Sequence, residues 1–500
     1  MSPPSKGEVQ NISKDAAQIA SGGGIVFAAG LADRALRLLV TWLLSGALGS
    51  AIFGSYTFAI TVASVITVFS PLGLDFGAVY FGAQYRKKQQ QQKTKGLVIA
   101  GGILCAASGI ICCLLLWILA PTLFDDPTPI QWIAPALLFW TPLFFVVGLL
   151  RSVKDMKGNA LSQQLSLPAG LAIGALLVTA LDLPLEAALI FFSLSLLLAL
   201  LVGIWRARKH FKHLFQNTIQ PEYETKKILR YSFPQGLAAM VFRLNVWMDI
   251  LMMGYLTTPE QIGLYKIAAS LAILGGLPIN ALTTIFNPFI AELVSTNELK
   301  RLNALLKTTT RWLISISFPV LLCLILLPDI ALGIFDSQYQ QSRTPLMILV
   351  GGQFVWVSCA IAMRLIPMSG HTTLNLINGI VAAVLNFGLN LWLIPKYGSI
   401  GAATATSITL AAWSLWRLIE IWWLLKCFPF SKTSFVLMVV AAAGGSGIYF
   451  MALEQMVHLV SVLAFVCIFF VSAFRFGGEK ADEDIKIKIK SVAKRIVRRK

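Results

Sequence analysis

The feature that most restricts this chain is its succession of long apolar windows. About fourteen stretches of roughly 18 to 25 residues are each long enough, as a helix, to cross about 30 Å of hydrocarbon. They lie near 23–48, 52–76, 96–120, 130–150, 164–181, 184–205, 230–256, 263–291, 312–328, 344–366, 372–394, 400–425, 434–451 and 457–474. Lipid offers no partner to backbone N–H and C=O groups, so such windows must satisfy them internally, as helices. The expected fold is therefore all-α and polytopic. Composition agrees: 57% of residues are hydrophobic and 13% charged, against about a quarter charged in soluble domains. No polar stretch between residues 20 and 475 is long enough for a soluble domain. The first twenty residues are polar and show no cleavable signal pattern, so the chain is expected to enter the membrane through its first spanning helix.

The charge of +18 reads as topology. Lys and Arg near span ends stay cytoplasmic, and with the N-terminus inside, most of the 41 basic residues fall in cytoplasmic segments, chiefly 85–95, 151–157, 206–230, 300–311 and 475–500. Outside loops hold only Arg343 and Lys396. This excludes a nucleic-acid reading of the basic balance and predicts cytoplasmic N- and C-termini. The tail from Ile485 to Lys500 either lies on anionic membrane lipids or is solvated. The glutamines at 89–92 carry no chemistry. The cysteines at 105, 112, 113, 323, 359, 427 and 467 sit in or beside apolar runs without metal spacing and read as small buried residues. No cofactor or metal motif is present, nor any P-loop.

An internal repeat appears at an offset near 209. Phe53-Gly54-Ser55-Tyr56 aligns with Ile262-Gly263-Leu264-Tyr265, Phe124-Asp125 with Phe335-Asp336, and Met156-Lys157-Gly158 with Met368-Ser369-Gly370. An even number of spans per copy gives both copies one orientation, as in repeats related by an axis along the membrane normal. The predicted domains are an N-tail (1–22), a six-helix N-lobe (23–210), a cytoplasmic linker (211–229), a six-helix C-lobe (230–426), two further helices (434–474) and a basic tail (475–500). Lobes of this kind enclose a central cavity.

Charges inside spans carry the functional signal, because an Arg at the bilayer centre costs about 2.5 kcal/mol or more unless it meets water, a partner or a ligand. Arg34 lies about eleven residues into the first span and Arg243 about thirteen into the seventh, both near mid-membrane at 1.5 Å per residue. Arg37 shares a helix face with Arg34 and can pair with Asp33. Two readings stand: a staple between helices, or anion recognition with a built-in counter-charge. Guanidinium suits phosphate, donating two parallel hydrogen bonds and staying charged where poorly solvated. Asp249 is either an ion-coupling site or a carboxyl bonded within the helix packing. Asp75, Lys266, Arg364 and Arg417 lie nearer span ends and read as snorkelling side chains, Arg364 drawing further interest beside the Pro367–Gly370 break.

The segment Asn386-Phe387-Gly388-Leu389-Asn390-Leu391-Trp392-Leu393-Ile394-Pro395-Lys396-Tyr397-Gly398-Ser399-Ile400-Gly401-Ala402-Ala403-Thr404-Ala405-Thr406 resembles the characteristic segment of bacterial polysaccharide-biosynthesis flippases, within the multidrug, oligosaccharidyl-lipid and polysaccharide exporter superfamily. Pro288 near Glu292, and Leu302 to Trp312, resemble the same family. Physically, Pro395 ends a helix while Gly398 and Gly401 permit a turn. The resemblance implies an inner-membrane protein without catalytic residues that moves an undecaprenyl-pyrophosphate-linked oligosaccharide by alternating access, for O-antigen, capsule or exopolysaccharide, working beside polysaccharide polymerase machinery. It also implies a cationic cavity, matched here by Arg34, Arg37, Arg243 and Arg364. A multidrug exporter or a peptidoglycan-precursor flippase of the same superfamily is the nearest alternative. A membrane glycan polymerase or ligase would need a larger outside loop or an acidic and His cluster.

Overall fold

The computed structural model describes residues 6–215, 219–296, 298–451 and 455–475, with side chains from Ala28 onward. The basic tail beyond 475 and the side chains of Pro288 and Glu292 lie outside the described residues.

Among the described residues there are helices and turns and no strand. In chain order the α-helices are α1 (Lys6–Phe69), α2 (Leu74–Lys87), α3 (Gln91–Leu123), α4 (Thr128–Ile133), α5 (Ala136–Ser152), α6 (Met156–Asn159), α7 (Leu167–Ala180), α8 (Leu185–Phe211), α9 (Thr225–Leu256), α10 (Pro259–Ala272), α11 (Leu277–Ser295), α12 (Leu299–Leu326), α13 (Pro328–Gly333), α14 (Arg343–Cys359), α15 (Leu365–Met368), α16 (Thr372–Leu425), α17 (Lys432–Phe450) and α18 (Gln455–Arg475). By length and composition, eight of the described helices can cross a membrane, nine if the segments at 337–359 and 362–368, bent by 59°, form one span. Two of the eight, at 42 and 53 residues, are far longer than about 30 Å of hydrocarbon requires. Each breaks at a glycine with left-handed φ, Gly49 in α1 (φ 72°) and Gly398 in α16 (φ 54°), where a side chain would be strained. Both glycines fall between apolar windows read from the sequence. Pro395 does not end its helix. The chain stays helical to the break at Gly398, and a Cβ on Gly401 would lie 2.3 Å from the Leu393 carbonyl oxygen.

The chain forms two compact units that divide after Gly263. In the first, α5 packs on α2, α3 and α8, and α1 packs on α7 and α9. Helix α9, assigned from the sequence to the second lobe, lies within this unit and packs on α1 and α2. Between α6 and α7 the chain runs as a π-helix over Ala160–Ser166, pinned where the Ser162 hydroxyl donates to the Ala199 carbonyl at 3.0 Å. Such π segments recur at functional sites.

The repeat leaves a physical trace in this unit. A Cβ on Gly54 would lie 1.7 Å from the Pro259 carbonyl oxygen, and one on Gly263 would lie 2.1 Å from the Ser50 carbonyl oxygen. The shift from 54 to 263 equals that from 50 to 259, 209 residues each time. Residue i therefore meets j while the counterpart of i meets the counterpart of j, the reciprocity that a twofold axis imposes.

In the second unit α12 packs against α14, α17 and α18. Phe318, Leu322, Leu437, Val462 and Phe469 form a buried apolar cluster there. Beside it lies a cavity of about 860 Å³ walled by apolar side chains, among them Phe354, Leu415, Phe435 and Met438.

Candidate functional site

Arg243, near the middle of α9, brings together residues from two other helices of the first unit. Its guanidinium lies over the Phe144 ring of α5, 5.0 Å from the centroid. It is within electrostatic reach of Asp75 on α2 and Arg151 on α5, and Asp75 also interacts with Arg151. Local packing explains the grouping. Phe144, Gly148 and Arg151 recur at i, i+4 and i+7, one face of α5. Gly148 allows that face to close on α2, since a Cβ there would lie 2.6 Å from the Asp75 carbonyl oxygen. On the other side of α2, Gly77 abuts Ser232 of α9, with only 2.1 Å between a Cβ and the Ser232 hydroxyl oxygen. Helical side chains lean toward the N-terminus of their own helix, so Arg243 leans back toward that crossing.

The three charges do not touch. Among the described residues, Asp75, Arg151 and Arg243 make no ion pair at contact distance. Asp75 lies in the first turn of α2, a placement favoured by the helix dipole. The outer nitrogen of Arg151 donates to Gln163 of the π segment at 3.4 Å. Arg151 is exposed, and Asp75 and Arg243 are half-buried.

The other sequence-derived candidates lie elsewhere. Asp33 and Arg37 form the i,i+4 pair their spacing permits, at 2.8 Å, with 47% of the Arg37 side chain exposed. Arg34 is half-buried on the same helix. Asp249 is buried in α9 and has interaction partners. In the second unit Arg364 is exposed just before α15 and interacts electrostatically with Arg417. Arg417 does not snorkel: it is 4% exposed, donates to the Asn375 side chain and lies over Trp413 at 5.5 Å. The reason is that Asn375 stands opposite it along α16, beside Asn378, whose side chain donates to Glu420.

Two polar clusters of the first unit are closed by contact. Asp155 caps α6 by accepting from the Gly158 backbone N–H at 2.9 Å. It also receives Arg206 Nε at 2.7 Å and meets His210 Nε2 at 2.9 Å. Burial pushes its pKa upward, but the Arg206, Gly158 and His210 contacts together outweigh burial and hold it below the ordinary carboxylate value. Glu224, at the start of α9, accepts from Lys93 at 2.7 Å, from Tyr85 and from Lys227. Those hydrogen bonds, Lys93 first, hold its carboxyl at about 2. The preceding strap is tied to α3, the Lys95 ammonium donating to the Ile219 carbonyl at 2.8 Å and the Glu222 N–H to the Gln92 carbonyl at 3.0 Å.

The family model described as polysaccharide biosynthesis protein matches residues 19–294, more than half of the chain. The chain belongs to the polysaccharide biosynthesis protein family. It is 25% identical over 166 residues to a probable low-salt glycan biosynthesis flippase, Agl15, of Haloferax volcanii, and 24% identical over 192 residues to a probable flippase, AglR, of the same organism. These matches span 33% and 37% of this chain and 35% and 39% of the two relatives. Among solved structures it is similar to the lipid II flippase MurJ in an inward closed conformation, with TM-score 0.69, 17% identity and coverage of 90% of this chain and 98% of that one. An inward-facing multidrug resistance MATE family transporter gives TM-score 0.63, 15% identity and coverage of 79% and 95%. The fold is thus one that this chain shares with these transporters.

Within this polysaccharide biosynthesis protein, depth in a span singled out Arg243. Asp75 was read as a snorkelling side chain and Arg151 as a topology mark, because both sit at span ends. Their signal was the Phe144, Gly148, Arg151 face of α5, a cation, a glycine and an aromatic ring at helical spacing.

Proposed function

We propose that this chain is a flippase, not an enzyme, that moves an undecaprenyl-pyrophosphate-linked oligosaccharide from the cytoplasmic to the outer leaflet of the inner membrane by alternating access, for surface polysaccharide such as O-antigen, capsule or exopolysaccharide. Its fourteen spans leave both termini cytoplasmic and deliver cargo to the polymerase machinery. Family membership and the flippase names of both curated relatives support glycan transport. The observation that carries the reading is Arg243, a half-buried guanidinium near the middle of α9 with no contact counter-ion among the described residues. Left unneutralised there, such a charge is costly, and a phosphate ligand offsets the cost through bidentate hydrogen bonds. Arg34 and Arg37 serve the same headgroup, Arg364 is an anion-binding side chain of the second unit, and Asp33 and Asp249 balance charge. A drug exporter for cationic cargo would favour the opposite sign of charge.

Reconstitution into liposomes with a fluorescent lipid-linked glycan, scoring its accessibility at each leaflet, tests the proposal. Movement is expected with the wild type and lost in R243A. A wild type that leaves the glycan in its starting leaflet would sink it.

A further inference from the structure

We propose that Arg151 and Arg243 form a two-guanidinium site for a diphosphate, and that Asp75 is its resident competitor, a fixed negative charge that keeps the site from holding its ligand too tightly. The inference rests on the lipid-diphosphate reading above and adds two residues which that reading does not contain.

Three features of the cluster carry it. The guanidiniums come from different helices, so two phosphate groups can be received from two sides. Arg243 lies over Phe144 of α5, and the Gly148 face of α5 closes on Asp75 of α2, with no contact ion pair among the described residues, so an anion entering between the cations need not first break a salt bridge. Asp75 lies in the first turn of α2, where the helix dipole favours its charge, and its backbone is held against α5 at Gly148. Two cations and one carboxylate leave a single net positive charge, whereas a diphosphate brings at least two negative ones. Binding is therefore favourable but opposed by Asp75, which suits a carrier that must also release. Asp33 cannot do this at its own site, because it is already in contact with Arg37.

The test is binding of inorganic pyrophosphate and orthophosphate to the full-length protein in lipid nanodiscs, followed by calorimetry. D75N is expected to bind pyrophosphate roughly tenfold more tightly, as removal of one nearby like charge in a half-buried site allows. R151Q is expected to weaken pyrophosphate roughly tenfold and to abolish its preference over orthophosphate, with R151K intermediate because lysine lacks the planar fork. A merely structural role for Asp75 would leave affinity unchanged or lowered in D75N, and either result overturns the competitor role. Should D75N fail to fold, R151Q decides: an intact pyrophosphate preference in that variant overturns the site. Wild type that flips the lipid-linked glycan while D75N and R151Q bind pyrophosphate as wild type does refutes this inference alone. Wild type that neither flips the glycan nor binds pyrophosphate refutes the transport reading as well.

Discussion

Asp75 and Asp155 each stand before two basic side chains in the first unit, yet they are spent differently. Asp155 is closed on Arg206 and His210 at 2.7 and 2.9 Å and caps a helix besides. Asp75 feels Arg151 and Arg243 across a gap. Contact pairs hold parts together, because removing one partner leaves the other desolvated and unpaired. Charges held apart remain available to something else. The difference separates scaffold from site more sharply than a count of charged residues, since each cluster contains one aspartate and two basic side chains.

The comparison breaks most visibly at the arginines. R243A is expected to reduce glycan movement in liposomes at least a hundredfold while leaving the unfolding temperature near that of wild type. R206A should do the reverse, lowering the unfolding temperature while any correctly folded fraction still binds pyrophosphate. Equal transport losses at equal stability in the two variants would erase the distinction. Next in size is D155N, expected to cost about 2 to 3 kcal/mol of stability through the lost cap and pair, with pyrophosphate affinity unchanged. Affinity altered in the properly folded variant would place Asp155 in the site.

Acid sharpens the contrast further. Glu224 has an ordinary value of 4.5 and is held at about 2 in the folded chain, so its contribution is fully present above 4.5 and is lost as pH falls through about 2. Asp155 is displaced in the same direction. Unfolding temperatures measured from pH 6 to pH 2 should therefore fall toward acid, and E224Q should flatten the curve. A curve unchanged in E224Q would show that its hydrogen bonds do not select the folded state. The smallest effect is expected at Arg37, whose contact pair is half exposed to solvent or cavity. R37Q should shift stability by less than about 1 kcal/mol, so any large transport defect in it would reflect the ligand rather than the fold.

Much of this was legible in the chain before any coordinates. Hydrocarbon thickness turns apolar run length into helix, and Gly49 and Gly398 mark breaks because only glycine takes their backbone angles cheaply. Arg243 was legible by depth. The partners of Arg243 were not, because Asp75 and Arg151 meet only through the closeness of α2 and α5 at Gly148, a tertiary fact with no local spelling. The same holds for Arg417, whose burial depends on Asn375 more than forty residues earlier on the folded-back α16.

The reciprocal approach of Gly54 to Pro259 and of Gly263 to Ser50 limits what either position can become. Neither glycine can gain a methyl group without striking a backbone carbonyl oxygen about two hundred residues away in the chain, so two positions without side chains set how closely these segments approach.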